Sequence, residues 1–184
     1  MSPMIAILFC AVFVAGLLYA EWRQSAGLKR LFKPAASLAF IIAGIAAGAA
    51  ETPFGQWILA GLVLCALGDV LLIPASPKTF LAGMGAFAAG HAAYIGAFLT
   101  GGVVIGAPAL LALAGGALLA VWLVMRLKRN LGSFLGPIIG YSAIISLMTA
   151  ASLGHWAAAP SPDSVRLAIA AAAFAISDVS VAED

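Results

Sequence analysis

Asp69 and Asp178 are carboxylates that stand in apolar surroundings, in the sequence contexts GDVLL and AISDV. Neither has an opposite charge within four residues on its own predicted helix. Two carboxyl groups in unequal surroundings can divide acid–base work, with one holding a proton and the other staying charged. The residue types therefore predict Asp69 and Asp178 as candidate catalytic residues.

Five further polar residues are candidates for contacting a substrate: Lys33, His91, Tyr94, Tyr141 and Ser177. His91 and Tyr94 share one stripe of a predicted helix with Phe87 and Gly90, since these four positions are spaced i, i+3, i+4 and i+7. Lys33 begins an apolar segment, where a long side chain can reach the membrane surface or turn inward. Each residue also has a structural alternative, namely interhelical hydrogen bonding, charge anchoring or packing.

The sequence lacks the residues that several other catalytic chemistries need. His91 and His155 are too few for a three-histidine zinc site, and His155 is predicted to lie in an outward loop far from His91. The sequence has no Gly-x-Ser-x-Gly elbow, phosphate loop or dinucleotide fingerprint. Cys10 and Cys65 stand in apolar runs, which predicts free buried thiols.

The composition is that of a membrane protein. Hydrophobic residues make up 64% and charged residues 9% of the chain, and the net charge is +2. Soluble domains have about 45–50% and about 25% of these classes. The composition therefore excludes a soluble enzyme, a disordered tail, a nucleic-acid-binding protein and a disulfide scaffold.

Seven apolar segments can cross a bilayer, which takes roughly 20 residues each. They cover about 4–20, 34–50, 56–73, 79–99, 107–125, 133–153 and 164–182. They are continuously apolar rather than alternating, which predicts an all-α, polytopic transmembrane helix bundle over 1–184 as a single integral membrane domain. The first segment lacks a basic start and a good cleavage site, so we expect a retained helix rather than a signal peptide. Small residues four apart, Gly44/Gly48 and Gly132/Gly136/Gly140, predict close helix packing.

The basic residues of the loops predict the orientation. The odd-numbered loops carry Arg23, Lys29, Arg30, Lys33, Lys78, Arg126, Lys128 and Arg129, against Arg166 alone for the even-numbered ones. We therefore expect a plasma (inner) membrane protein with its N-terminus outside. Asp69 would then lie about four residues, or roughly 6 Å, inside the cytoplasmic boundary, and Asp178 at the matching depth. We expect the two carboxylates to meet in one pocket open to the inner leaflet.

Four short motifs in register resemble the YhhN-type lysoplasmalogenase family of integral membrane proteins. They are Lys33-Pro34 opening a helix, GDVLL around Asp69, FLAGMGAFAAGHAAY over 80–94, and FAISD ending at Asp178. The resemblance implies a lipid hydrolase that cleaves the vinyl ether of a lysoplasmalogen, releasing a fatty aldehyde and a glycerophospho-head group. It also implies eight helices, whereas seven precede the end of this sequence. We expect either a truncated chain or a shorter member.

Vinyl ether hydrolysis assigns roles to the candidate residues. One of Asp69 and Asp178 would donate a proton to the ether, and the other would activate water or stabilise positive charge, in an order that the sequence leaves open. His91 and Tyr94 would orient water or the ether oxygen, and Lys33 would meet the substrate phosphate. No metal or organic cofactor is required. The expected partners are a lysophospholipid and membrane lipids, without nucleic acid or an obligate protein partner.

Three alternatives stay open at this point. The same aspartates could relay protons in a proton-coupled transporter or channel. They could serve structure alone, in an accessory bundle. Within the hydrolases, the substrate could carry a different ether or an ester.

Overall fold

The computed structural model describes residues 3–74, 76–131 and 134–183. Over these ranges the chain is all-helical, which confirms the predicted fold class. Seven α-helices occur in the described ranges: α1 (Pro3–Trp22), α2 (Ala26–Ala46), α3 (Pro53–Leu71), α4 (Pro77–Thr100), α5 (Ala107–Leu131), α6 (Leu135–Ala158) and α7 (Pro162–Glu183).

The chain is a membrane protein, because several helices are long and apolar enough to cross a bilayer. Within the described residues five helices qualify: α1, α3, α4, α5 and α6. The other two, α2 and α7, carry three and four charged residues, and their crossing of the membrane stays a prediction. The same holds for the orientation of the chain.

Helix α2 begins earlier than predicted, at Ala26 rather than at Pro34. Ser25 caps it, and the Ser25 hydroxyl accepts a hydrogen bond from the Leu28 amide at 3.4 Å. Lys33 and Pro34 therefore lie inside the helix and do not open it. A proline is well suited to the first turn of a helix, which made the later start the natural prediction. Inside a helix a proline has no amide proton to donate, so α2 has one backbone hydrogen bond fewer at Pro34.

The end of α2 and the length of α6 also differ from the prediction. Helix α2 ends at Ala46, and Gly48 then adopts a left-handed φ of 82° that glycine tolerates. Helix α6 continues to Ala158, so that His155 lies in its last turn rather than in a loop. The His155 Nδ1 atom is 2.9 Å from the Gly102 carbonyl oxygen, which ties the helix end to the α4–α5 connection.

The contacts divide the chain into two compact units, Met1–Ala93 and Tyr94–Asp184, with the boundary inside α4. In the first unit, α2 packs against both α1 and α3. In the second unit, α6 packs against both α5 and α7. The central helix of each trio thus positions side chains against its neighbours. The single domain expected from the sequence stays a prediction.

The glycines of the two predicted spacings differ in what surrounds them. A Cβ added at Gly44 would lie 3.1 Å from Leu59 and 3.2 Å from Leu62 of α3, as close helix packing requires. A Cβ at Gly136 or Gly140 would meet no atom of the described residues within 4 Å. Gly132 lies outside the described residues.

Candidate functional site

Asp69 lies in the last turn of α3, where two side chains of α2 reach its two carboxylate oxygens. The Lys33 ammonium nitrogen is 3.4 Å from Asp69 Oδ1. The Ser37 hydroxyl donates to Asp69 Oδ2 at 2.5 Å. The side chains of Lys33 and Asp69 are 30% and 25% exposed. We call Lys33, Ser37 and Asp69 the Asp69 cluster.

The sequence of α2 positions both partners. Lys33 and Ser37 are four residues apart, so they lie on the same helix face, which packs against α3. The buried Ser37 hydroxyl also lies 3.0 Å from the Lys33 carbonyl oxygen. A hydroxyl has one proton to donate, so the carboxylate and this carbonyl share it. Hydrogen bonding within α2 therefore holds Ser37 beside Asp69.

The Asp69 cluster is neither a surface ion pair nor a fully buried one. Exposed pairs contribute about 0–1 kcal/mol, whereas removing one partner of a buried pair costs about 3–5 kcal/mol. Asp69 and Lys33 are each about a quarter to a third exposed, which puts this pair between those limits. An ammonium and a hydroxyl thus both donate to the carboxylate oxygens of Asp69. The geometry therefore suits a carboxylate that stabilises positive charge or accepts a proton.

Asp178 lies in α7 and contacts Tyr141, one of the two tyrosines predicted for the site. The Tyr141 hydroxyl of α6 donates to Asp178 Oδ2 at 3.0 Å, and both side chains are half-buried. We call Tyr141 and Asp178 the Asp178 pair. Ser177 precedes the aspartate, but its side chain is exposed. The pair joins α6 and α7, which already pack against each other.

The predicted stripe on α4 is largely buried. His91 is fully buried, with 0% of its surface exposed, and Tyr94 is 9% exposed. The Tyr94 ring packs edge-on against Phe174 of α7, with ring centroids 6.4 Å apart. A Cβ at Gly90 would lie 2.7 Å from the Cys65 sulfur, so α4 approaches α3 closely at this point. The packing alternative for Tyr94 therefore gains support, and its role toward a substrate stays a prediction.

The structure brings together four of the seven predicted site residues, in two separate sets. Lys33 contacts Asp69 in the first unit, and Tyr141 contacts Asp178 in the second. The expected meeting of Asp69 and Asp178 in one pocket stays a prediction. Sequence reasoning missed Ser37, although its spacing of four residues from Lys33 could have found it.

Lys33 has a different partner from the one that the sequence suggested. We expected a substrate phosphate, and the structure gives Lys33 the Asp69 carboxylate. An ammonium group has three hydrogen-bond donors, so contact with a carboxylate leaves donors for a phosphate. The phosphate role therefore stays a prediction.

A cavity of about 210 Å³ lies in the second unit among α5, α6 and α7. Its lining includes Ser142 of α6 and Ala175 of α7. Tyr141 directly precedes Ser142 in the sequence. Asp178 follows Ala175 by three residues, which is close to one helical turn. Neither Tyr141 nor Asp178 is itself among the residues that line the cavity. Within the described ranges, no three His, Cys, Asp or Glu side chains come together as a metal site would need.

Comparison with known proteins gives one match. The family model of the YhhN family matches residues 28–184, which includes both aspartates and all five other candidate residues. A search of curated proteins and a search of solved structures each found no match.

Proposed function

Because the chain belongs to the YhhN family, we propose that it is a membrane-embedded hydrolase of lysoplasmalogen-type lysophospholipids. The bond cleaved is the vinyl ether, and the products are a fatty aldehyde and a glycerophospho-head group. The observation that carries the proposal is that the two membrane aspartates have different partners. Asp69 contacts an ammonium group and a hydroxyl, whereas Asp178 accepts a hydrogen bond from a phenol.

The reaction needs one proton donor and one group that deals with positive charge. Protonation of the β-carbon of the vinyl ether consumes the double bond and leaves an oxocarbenium ion. Water adds to the cationic carbon and loses a proton, which gives a hemiacetal. The hemiacetal then collapses to the aldehyde and the alcohol. Acid–base assistance of this kind contributes typically 10²–10⁴-fold to a rate.

We assign the charged role to Asp69. Lys33 and Ser37 both donate to its oxygens, and a carboxylate held in this way can stabilise the oxocarbenium ion or take the proton from water. Its side chain is 25% exposed, so it is not sealed inside the protein. Lys33 also has donors left for the substrate phosphate.

We assign the proton-donating role to Asp178. The reaction needs two groups, and with Asp69 proposed for the charged role the proton falls to Asp178. The Tyr141 hydroxyl holds Asp178 Oδ2, so that the other oxygen has a fixed direction. His91 and Tyr94 are proposed to orient water or the ether oxygen, and Ser177 to contact the substrate.

The test is aldehyde release from a lysoplasmenyl lipid by the protein purified in detergent. Asp69→Asn and Asp178→Asn should each lower turnover by at least about 100-fold, since each removes one half of the acid–base work. Asp163→Asn is the matched control, because Asp163 begins the same helix as Asp178 but is 84% exposed and pairs with Arg166.

Two results would contradict the proposal. Folded Asp69→Asn and Asp178→Asn proteins that both turn over like the wild type would remove the catalytic assignment. A wild-type protein that leaves the lipid intact but carries a flux driven by a pH gradient in liposomes would be a transporter instead.

A further inference from the structure

The basic residues near the α1–α2 connection differ in whether an acidic partner neutralises them. Four of them lie at the end of α1 and the beginning of α2: Arg23, Lys29, Arg30 and Lys33. Lys29 pairs with Glu21, and Lys33 pairs with Asp69. Arg23 and Arg30 have exposed side chains, and no carboxylate of the described residues lies within ion-pair distance of either. Two of the four charges are therefore neutralised within the first unit, and two are available to a ligand.

Arg30 lies on the face of α2 that carries the Asp69 cluster. Lys33 follows Arg30 by three residues and Ser37 follows it by seven, and these spacings share one stripe of an α-helix. Along the helix axis, Arg30 lies roughly 4.5 Å before Lys33 and roughly 10 Å before Ser37. The stripe that binds Asp69 therefore continues into a guanidinium group without a carboxylate partner.

The register of α2 against α3 explains why Arg30 is exposed. Ser37 contacts Asp69, near the end of α3, whereas Gly44 approaches the middle of α3, so the two helices are antiparallel. Going back from Ser37 to Arg30 is therefore equivalent to going about seven residues beyond Asp69 on the other helix. Helix α3 ends at Leu71, before that level is reached. Arg30 thus lies beside the Asp69 cluster but past the end of the helix that covers the cluster.

We infer that Arg30 binds the head-group phosphate of the lysophospholipid substrate. The inference rests on the proposed function, because it supplies the phosphate contact that the reaction at Asp69 needs. A guanidinium group presents paired N–H donors that fit two phosphate oxygens, and Lys33 has a carboxylate to hold already. A three-carbon glycerol unit joins the phosphate of the lipid to its ether, a distance comparable to one helical turn of about 5.4 Å. A phosphate at Arg30 therefore leaves the ether within reach of Asp69.

The competing role for Arg30 is that of a general basic charge at the membrane surface. Arg23 would share that role, since it is exposed and has no carboxylate partner among the described residues. It differs in position, because it follows α1 and does not lie on the α2 stripe of the Asp69 cluster. Arg23→Gln is therefore the matched control for Arg30→Gln, and both variants should fold because both side chains are exposed.

The first experiment compares a lysoplasmenylethanolamine with a 1-alkenylglycerol, which has the same vinyl ether but no phosphate. Arg30→Gln should lower kcat/KM for the phospholipid at least about 10-fold more than for the alkenylglycerol, because charge-assisted hydrogen bonds to the phosphate are lost. Arg30→Lys should lie between Arg30→Gln and the wild type, since it keeps the charge without the paired donors. Arg23→Gln should keep the wild-type ratio of the two substrates. Equal ratios for Arg30→Gln and Arg23→Gln would overturn the inference.

A second experiment separates this inference from the proposed reaction. The probe is 1-O-hexadecyl-glycerophosphoethanolamine, whose saturated ether has no vinyl bond to cleave, and the measurement is its stabilisation of the protein against thermal unfolding in a non-ionic detergent. Its dissociation constant should rise at least about 10-fold in Arg30→Gln and stay unchanged in Arg23→Gln. This result would support the inference even if the wild type left vinyl ethers intact. An equal dissociation constant in the wild type and Arg30→Gln would overturn it.

Two further probes identify the source of the phosphate. Hexadecylglycerol, which has the chain without the phosphate, should stabilise the wild type and Arg30→Gln equally. Glycerophosphoethanolamine, which has the phosphate without the chain, should stabilise neither protein at the concentrations where the lipid does. Stabilisation by glycerophosphoethanolamine as strong as that by the lipid would make Arg30 a site for soluble phosphate esters, and the inference of a lipid head group would be wrong.

Discussion

The two aspartates differ in what surrounds them, although the sequence presents them alike. Asp69 has both carboxylate oxygens engaged by α2, one by an ammonium group and one by a hydroxyl. Asp178 accepts a hydrogen bond from the phenol of Tyr141. The first environment supplies an ammonium group and a hydroxyl as donors, and the second supplies a phenol. Residue type alone therefore does not give the role, which depends on the partners that the fold supplies.

The largest expected effect comes from combining Asp69→Asn with Asp178→Asn. If the two carboxylates act on the same reaction, removing the second after the first costs little more, because residues that act as a unit are strongly non-additive. The double variant should therefore turn over about as slowly as the slower single variant. Turnover of a lysoplasmenyl lipid by the three proteins measures this.

If the two carboxylates act independently, the double variant should turn over much more slowly than either single variant. Two separate losses of about 100-fold would multiply to about 10⁴-fold in the double variant. That result would mean that the two carboxylates contribute independently rather than as a unit. The comparison also tests their expected meeting in one pocket without requiring a further structure.

The second prediction concerns the cation of the Asp69 cluster. Lys33→Met should lower turnover by roughly 10-fold or more, because the partly buried carboxylate loses its counter-charge. Lys33→Arg should retain more activity, since it keeps the charge but has a different donor geometry. The measurement is kcat at saturating lipid, which separates this effect from weaker phosphate binding.

Lys29→Met is the matched control for that prediction. Lys29 lies one turn earlier in α2 and pairs with Glu21, and its side chain is 33% exposed, close to that of Lys33. Its loss should leave kcat near the wild-type value. Equal effects of the two substitutions would mean that Lys33 serves the basic surface rather than Asp69.

The sequence predicted the helices well and the partners of the aspartates poorly. Long apolar runs determine where helices form, so seven helices were predictable from where these runs lie in the sequence. Their ends were less so: Pro34 suggested a helix start, whereas the Ser25 cap and the packing of α2 on α1 extend the helix to Ala26. The extension matters, because it places Lys33 one turn before Ser37 on the face toward α3.

Long-range pairing explains the remaining differences. Ser37 and Asp69 are 32 residues apart, and Tyr141 and Asp178 are 37 apart, so no local pattern joins them. The glycine spacing illustrates the same limit, since Gly44 packs against α3 whereas Gly136 lies in open space. A spacing of four residues permits close approach, but only the fold determines whether a neighbour is there.

The third prediction tests the phenol of the Asp178 pair. Tyr141→Phe removes one hydrogen bond to the carboxyl group, which is worth about 1.5–3 kcal/mol when the acceptor is charged and about 0.5–1.5 kcal/mol when it is neutral. If Asp178 is the protonated acid, the smaller loss of stability applies, together with a several-fold loss of turnover. Thermal unfolding in detergent and aldehyde release measure the two effects.

Tyr19→Phe supplies the control, since Tyr19 is an exposed tyrosine of α1. Tyr19→Phe should change neither the thermal unfolding temperature nor the rate of aldehyde release. A loss of stability in Tyr141→Phe without any loss of turnover would make the pair a structural link between α6 and α7, and the acid role of Asp178 would then lack its positioning residue.

The smallest effect on turnover should come from Ser37→Ala, because Lys33 still faces Asp69 when the hydroxyl is gone. Its effect on stability should be clear, since a hydrogen bond to a charged group contributes about 1.5–3 kcal/mol. Ser152→Ala is the matched control, as Ser152 is fully buried and its hydroxyl donates to the Thr149 carbonyl of its own helix. Thermal unfolding should therefore shift further for Ser37→Ala than for Ser152→Ala. Equal shifts would mean that Asp69 is not held as a charged carboxylate, and the contrast between the two aspartates would lose its physical basis.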